Sequence, residues 1–247
     1  MNKNIVLLLT GTVNPNNMIM TELQDIEVRK NEYISALRFW LKYTDIPIIF
    51  IENSNTDIST HFIDEVMGGR LEMITFDGNN YDRQLGKGYG ELLCLEYAYS
   101  FSKFINQCDF IFKVTGRYKV LNFKIFFETY LAEPTINIMA DFKWNLSFVD
   151  SRFFGFSKVF IYDYLINYKN VINDSEGIYF EHALSKAVLN YIANGHIYRP
   201  FVTLPRIEGY SGSTGAKYKS NYFHWLRYKY KYYIKYKSFG LGNLPWI

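Results

Sequence analysis

The segment Cys108–Tyr118 reads Cys-Asp-Phe-Ile-Phe-Lys-Val-Thr-Gly-Arg-Tyr, an apolar run that ends in two cations, a hydroxyl and a glycine. An apolar run without alternation predicts a strand buried on both faces. In open α/β sheets, ligands bind in the crevice beyond the carboxyl ends of the strands. Lys113, Thr115, Gly116 and Arg117 at such an end predict an anion site, since Arg binds phosphate bidentately and Lys as a point charge. The plainer alternative is a strand end and a turn, with both cations solvated.

A second apolar run, Ile48–Ile51, leads into Glu52-Asn53-Ser54-Asn55-Thr56-Asp57. An ionised carboxylate there can accept from a ribose hydroxyl or a base N–H. The same residues also suit an Asx/Ser turn that opens the next helix. Thr10-Gly11-Thr12 closes a third run, Ile5–Leu9, and Gly86-Lys87-Gly88-Tyr89-Gly90-Glu91 precedes a long helical pattern. Farther on, Tyr179-Phe180-Glu181-His182 opens another helix. Glu181 is either a general base for an acceptor hydroxyl or an acid that favours the helix macrodipole. His182 either orients that carboxylate or packs beneath aromatics.

The elements that hold these groups follow from periodicity. Ile5–Leu9, Ile46–Ile51, Leu71–Phe76 and Phe110–Val114 read as parallel core strands. Helices are predicted over Asp25–Tyr43, where Ile26, Tyr33, Leu37 and Trp40 recur at helical spacing, over Thr60–Met67, and over Gly90–Phe104. That alternation is βαβ arithmetic, and it predicts a nucleotide-binding-like half over residues 1–122. In the second half, 123–204, Ile136–Phe142 and Phe153–Phe156 read as strands, Ser157–Tyr168 and Phe180–Ala193 as helices. Residues 205–220 read as a flexible Gly/Ser-rich loop carrying Arg206 and Lys217. One α/β domain over 1–220, with a basic aromatic segment over 221–247, is expected.

The composition agrees. The chain has 247 residues, 49 % of them hydrophobic, which excludes a disordered chain. Two cysteines, Cys94 and Cys108, make no disulfide framework, so a cytoplasmic location is expected. No apolar stretch approaches the roughly 20 residues of a membrane-spanning helix. The net charge of +3 is unevenly placed: residues 217–237 hold seven Lys and Arg and no acid.

Taken in order, the motifs resemble GT-A-type nucleotide-sugar glycosyltransferases of bacterial surface-polysaccharide synthesis, over roughly residues 4–200. Glu52–Asp57 resembles the acid and small polar turn that ends the family's second strand. Gly86–Glu91 resembles its nucleotide-sugar-contacting turn. Asp150–Lys158, with Gly155 and Phe156, resembles the turn lining the acceptor side, and Tyr179–Leu184 the carboxylate element at a helix start. The resemblance implies a GT-A-like, mostly parallel sheet flanked by helices, and transfer of a sugar from a nucleotide-diphosphate donor to a glycan or lipid-linked oligosaccharide. Donor contacts are then expected from Thr10, Gly11, Thr12, Glu52, Asn53, Ser54, Lys87, Gly88, Glu91, Thr115, Gly116, Arg206 and Lys217. Catalysis is expected from Glu181, Arg117 and Lys113, and acceptor contacts from Gly155, Phe156 and His182.

One departure stands out. Where the family carries its metal-binding Asp-any-Asp, this chain has Thr115-Gly116-Arg117. Mg²⁺ or Mn²⁺ needs hard oxygen ligands, and a cationic strand end attracts the diphosphate directly. The reading is a site without a metal cofactor; the competing one keeps Mg²⁺ or Mn²⁺ on Asp109 or Asp141. The interleaved Lys, Arg, Tyr, Trp and Phe of Tyr222–Phe239 predict peripheral attachment to the anionic inner face of the cell membrane. A helix packing some rings into the core is the alternative. A stacking surface for nucleic acid is the remaining one, and a non-catalytic nucleic-acid-binding protein is the rival function.

Overall fold

The computed structural model describes residues 4–238. The first half alternates strand and helix: β1 (Ile5–Gly11), α1 (Ile26–Tyr43), β2 (Ile48–Glu52), α2 (Ile63–Met67), β3 (Leu71–Thr75), α3 (Gly86–Phe101), α4 (Lys103–Gln107) and β4 (Phe110–Thr115). Then come β5 (Lys119–Val120), α5 (Phe123–Ala132), β6 (Ile138–Ala140), the hairpin β7 (Phe142–Lys143) and β8 (Phe148–Val149), and β9 (Phe153–Ser157). The chain ends with α6 (Phe180–Ala193), β10 (Tyr198–Pro200), the hairpin β11 (Ile207–Tyr210) and β12 (Lys217–Tyr218), and α7 (Tyr222–Ser238).

Seven strands form one sheet in the order β10-β6-β9-β4-β1-β2-β3. β9 pairs antiparallel with both β4 and β6, and the remaining pairs are parallel. The predicted halves therefore share one sheet. Successive strand residues point to opposite faces, which splits the apolar runs into two cores. Val6, Leu8, Ile49 and Ile51 face Leu92, Leu95, Leu184 and Tyr191 of α3 and α6. Leu7, Leu9, Phe50 and Phe112 face Tyr33, Leu37, Trp40 and Phe126 of α1 and α5. This is the helix-flanked, mostly parallel α/β architecture that the sequence predicts.

Two expectations are corrected, and a third segment follows one of its alternatives. Residues 158–171 form no regular α-helix but a turn of wide helix followed by tight 3₁₀ turns. The 205–220 stretch is a hairpin rather than a plain loop, and β11 pairs with β5 to make a small antiparallel sheet. The basic aromatic segment is a helix whose residues divide. Tyr232 is buried and donates to Asp141 (2.6 Å), and Trp225 Nε1 donates to the Leu204 carbonyl (3.0 Å). Phe223, Leu226, Tyr230 and Ile234 are exposed. Phe239 and the residues after it, with the Tyr236 side chain, lie outside the described residues. Among the described residues no helix is long and apolar enough to cross a membrane.

Candidate functional site

Because β1, β2 and β4 are parallel, their carboxyl ends meet on one edge, as the crevice rule requires. A cleft of about 640 Å³ opens there. Thr10, Gly11, Thr12, Thr115 and Arg117 line it from the strand ends, and Lys87, Gly88 and Glu91 from the first turns of α3. Asp150–Arg152, Glu181 and the hairpin tip Ser211–Ser213 complete the walls. Most of the expected donor residues are thus brought together.

Arg117 is the most informative of them. The Gly116 amide donates to the Thr10 carbonyl at 2.8 Å, and a Cβ on Gly116 would lie 2.7 Å from that oxygen. Only glycine allows this approach, and the turn it closes carries Arg117 beyond the strand. The guanidinium lies over the Tyr33 ring at 5.7 Å and is roofed by Gly212, where a Cβ would come within 2.6 Å of Arg117 Nη2. Arg117 is only 6 % exposed, and its Nε and Nη1 have no hydrogen-bond partner among the described residues. Burying unpaired charged donors is costly; the arrangement is complementary to an anion.

Lys113 is not available in this way. Lying inside β4, it points under the cleft floor, is fully buried, and forms an ion pair with Glu91. Its ammonium also donates to the Ser151 carbonyl (2.6 Å) and Thr115 Oγ1 (3.2 Å). Glu91 accepts in addition from Thr10 Oγ1 (3.2 Å) and Thr115 Oγ1 (3.3 Å). The catalytic role expected of Lys113 is corrected to a structural one.

Glu52, Asn53 and Ser54 are also displaced from the expected role. Glu52 is fully buried, and its carboxylate accepts from the amides of Val13 (2.8 Å), Ser54 (3.0 Å) and Thr56 (2.9 Å) and from the Ser54 hydroxyl. Asn53 accepts from Thr12 Oγ1 at 2.6 Å, and Ser54 Oγ accepts from the Asn14 amide at 2.9 Å. The three brace the loop after β1 from behind. Gly155 and Phe156 lie within β9 in the core, where a Cβ on Gly155 would meet the Phe110 ring at 2.7 Å. They touch no acceptor space. His182 Nδ1 accepts from the Tyr179 amide at 3.1 Å and caps α6. Arg206 donates to Ser220 Oγ (2.8 Å) and lies over the rings of Tyr222 and Trp225, whereas Lys217 is exposed over Tyr210. Neither lines the cleft.

The carboxylates of the cleft have opposite electrostatics. Glu181 accepts from Ser151 Oγ at 2.7 Å; burial pushes its carboxyl above the usual range, and the charges of Glu91 and Asp150 push the same way. Asp150 is also buried, but the Arg152 fork (2.8 and 2.6 Å) and Lys143 (2.6 Å) hold it well below that range. Paired carboxyls pushed apart in this way are the usual signature of divided acid and base roles.

Several residues of the site escaped the sequence reading. Asp174, raised by burial, accepts from the Gly88 amide at 3.5 Å, and its Oδ1 has no partner among the described residues. Gly86, at φ 75°, leaves the space that this carboxylate fills. Arg29 donates to the carbonyls of Thr12 and Leu23 and so folds the loop over the cleft. A cation on the Tyr33–Leu37–Trp40 stripe was its visible signal. Trp144, 67 % exposed, stands at the tip of the β7–β8 hairpin, where Trp144, Asn145 and Leu146 have φ of 48°, 55° and 65°.

Among the described residues, no three of His, Cys, Asp and Glu come together as a metal-binding group. Asp109 lies at the opposite end of β4, where it accepts from the Asn4 amide at 2.9 Å, and Asp141 accepts the Tyr232 hydroxyl at 2.6 Å. Neither of the two acids that the competing reading gives to a metal lines the cleft.

No family model and no curated protein matches the sequence. In structure the chain is similar to HddC from Yersinia pseudotuberculosis, at 17 % identity and TM-score 0.41, over 84 % of this chain and 93 % of that one. It is also similar to a cytidylyltransferase from Leptospira borgpetersenii, at 11 % identity and TM-score 0.39, over 81 % of this chain and 77 % of that one. A third similarity is to S. aureus TarS 1-349 in complex with UDP, at 12 % identity and TM-score 0.43, over 94 % of this chain and 66 % of that one. Likenesses this distant assign no activity, so the functional reading rests on the residues of the cleft.

Proposed function

We propose that the protein is a glycosyltransferase that moves a sugar from a nucleotide-diphosphate donor to a hydroxyl of a glycan or lipid-linked oligosaccharide in bacterial surface-polysaccharide synthesis. The observation that carries this reading is the buried Arg117 guanidinium, whose Nε and Nη1 have no partner among the described residues, at a parallel-sheet crevice. The charge on a departing diphosphate grows in the transition state, and a fixed cation there stabilises it more than it stabilises the bound donor. Arg117 takes that role without a metal, as a fixed cation just past the end of β4 that can bind phosphate oxygens directly.

Glu181 is the general base. Burial raises its carboxyl above an ordinary glutamate, which makes the carboxylate a stronger base toward a hydroxyl proton; such catalysis contributes about 10²–10⁴-fold. Asp150 stays ionised and fixes Arg152 and Lys143 at the cleft edge. The acceptor is held at the inner face of the membrane, with α7 as the attachment. Its exposed Phe223, Leu226, Tyr230 and Ile234 share one helical face, with Lys237 at its C-terminal end and Arg227, Lys229 and Lys231 beside it.

Calorimetry with UDP, GDP, CDP and ADP tests the donor site, and release of nucleoside diphosphate from a panel of nucleotide sugars tests the chemistry. Binding of at least one diphosphate that Arg117→Ala abolishes, with slow donor hydrolysis that survives a chelator, is the expected result. Absence of any nucleotide binding overturns the reading.

A further inference from the structure

The β7–β8 hairpin carries a feature that the donor site does not use. Asn visits the left-handed region readily, but Trp and Leu do not, yet Trp144 and Leu146 flank Asn145 there. Backbone strain of this kind persists only where surrounding structure holds it, and it clusters at ligand sites. Here Ser147 Oγ donates to the Trp144 carbonyl at 2.7 Å, and Ser185 of α6 donates to the Leu146 carbonyl. The outcome is a tryptophan 67 % exposed at the rim of a concave cleft.

Trp144 is not isolated. Its ring lies 4.4 Å from Phe148, Phe148 meets the edge of His182 at 5.6 Å, and His182 stacks on Tyr179 at 5.6 Å. This aromatic wall descends from the rim to the first turn of α6, the turn that carries Glu181. Charged groups, Lys143, Asp150 and Arg152, stand along its edge. A sugar ring has the matching surface: an apolar C–H face for an exposed ring and a rim of hydroxyls for charged hydrogen-bonding groups. Arg117 packs under Gly212 and over Tyr33 and is no member of this aromatic chain, so the anion site and the aromatic rim rest on different residues.

We propose that Trp144, Phe148 and Tyr179 form the acceptor subsite, which takes a sugar ring laid against Trp144 with a hydroxyl directed toward Glu181. The assignment of this ring as the acceptor rests on the transferase reading; the sugar-binding wall itself does not. It replaces Gly155 and Phe156, which the core has claimed.

The test applies wild type, Trp144→Ala and Trp144→Tyr to an array of defined mono- to tetrasaccharides, with nucleoside-diphosphate affinity measured in parallel by calorimetry. Trp144 is exposed, so its truncation leaves the core intact, and circular dichroism checks this. Expected is retention of at least one oligosaccharide by wild type, loss of about tenfold or more in affinity in Trp144→Ala, and recovery in Trp144→Tyr, with nucleotide affinity unchanged. Equal retention by Trp144→Ala, no oligosaccharide held by wild type, or a nucleotide affinity that falls with Trp144→Ala overturns the subsite. Trp144-dependent sugar binding without any nucleotide binding keeps the wall and overturns the transferase reading instead.

Discussion

Lys113 and Glu91 form an ion pair beneath the cleft floor, with the lysine side chain fully buried and the carboxylate 20 % exposed. The pair fastens β4 to α3, the two elements that carry Arg117 and the Gly-rich turn. Removing one partner of a buried pair leaves the other charge uncompensated, at about 3–5 kcal/mol. Lys113→Met is therefore expected to lower the urea midpoint strongly, and adding Glu91→Leu to recover much of the loss. A Lys113→Met protein with wild-type stability and selectively lost turnover would restore the catalytic role.

Arg117 predicts the opposite pattern. Its unpaired burial already costs the folded state, so Arg117→Met is expected to leave the urea midpoint unchanged or raised. Hydrogen bonds to charged groups contribute about 1.5–3 kcal/mol, so nucleoside-diphosphate affinity should fall about tenfold to a hundredfold. Calorimetry and urea titration on the same preparation separate the two effects. Destabilisation without loss of affinity would show the guanidinium to be structural.

Glu181 should be visible in pH profiles. Its carboxyl is raised in the folded protein, so between the ordinary glutamate value and the raised one the folded state binds more protons than the unfolded. Stability then falls as pH rises through that window, and Glu181→Gln removes this contribution. Activity runs the other way: the base must be ionised, so kcat/KM climbs with pH through the raised value. Glu181→Gln should lose roughly 10²–10⁴-fold in transfer with donor binding intact. An acid limb that persists in Glu181→Gln assigns the base elsewhere.

The helix α7 is tested by its exposed face. Replacing Phe223 and Ile234 by Ser, with Arg227 and Lys231 by Glu, leaves Tyr232 and Trp225 in place and so keeps the helix docked. Wild type should float with vesicles containing phosphatidylglycerol and detach as salt rises, since each charge contributes about 1 kcal/mol near the surface. The variant should stay in solution. Equal flotation of both proteins, or none by wild type, removes the membrane from the proposal. Deleting the helix is a poorer test, because it also strips the buried Tyr232 from Asp141.

The legible parts of the fold were those with one physical cause. β1, β2 and β4 are buried on both faces, and that alone writes continuous apolar runs such as Ile5–Leu9. The crevice followed from their shared direction. The separation of Lys113 from Arg117 was less visible, since the strand period of two places Lys113, Thr115 and Arg117 in one register and only the two nearer the strand end reach the opening. Asp174 could not be read, because its partner Gly88 is 86 residues away and no local pattern connects them. Glu52 shows the converse: its surroundings do suit a carboxylate, but the donors prove to be the chain's own amides at Val13, Ser54 and Thr56. The segment 158–171 failed because its apolar residues pack under α3 and α6 without a steady period.

The roof over Arg117 has a consequence for the order of assembly. Gly212 belongs to a hairpin made nearly a hundred residues after Arg117, and Glu22 and Leu23 donate to its carbonyl. A nascent chain that has completed β1 through β4 therefore holds Arg117 still hydrated, and the cost of drying it falls entirely on the arrival of residues 207–218. A segment that folds last against such a cost also opens first. Amide exchange in Ser211–Ser213 should accordingly outpace that in β4, and a nucleotide that pairs with Arg117 should slow it.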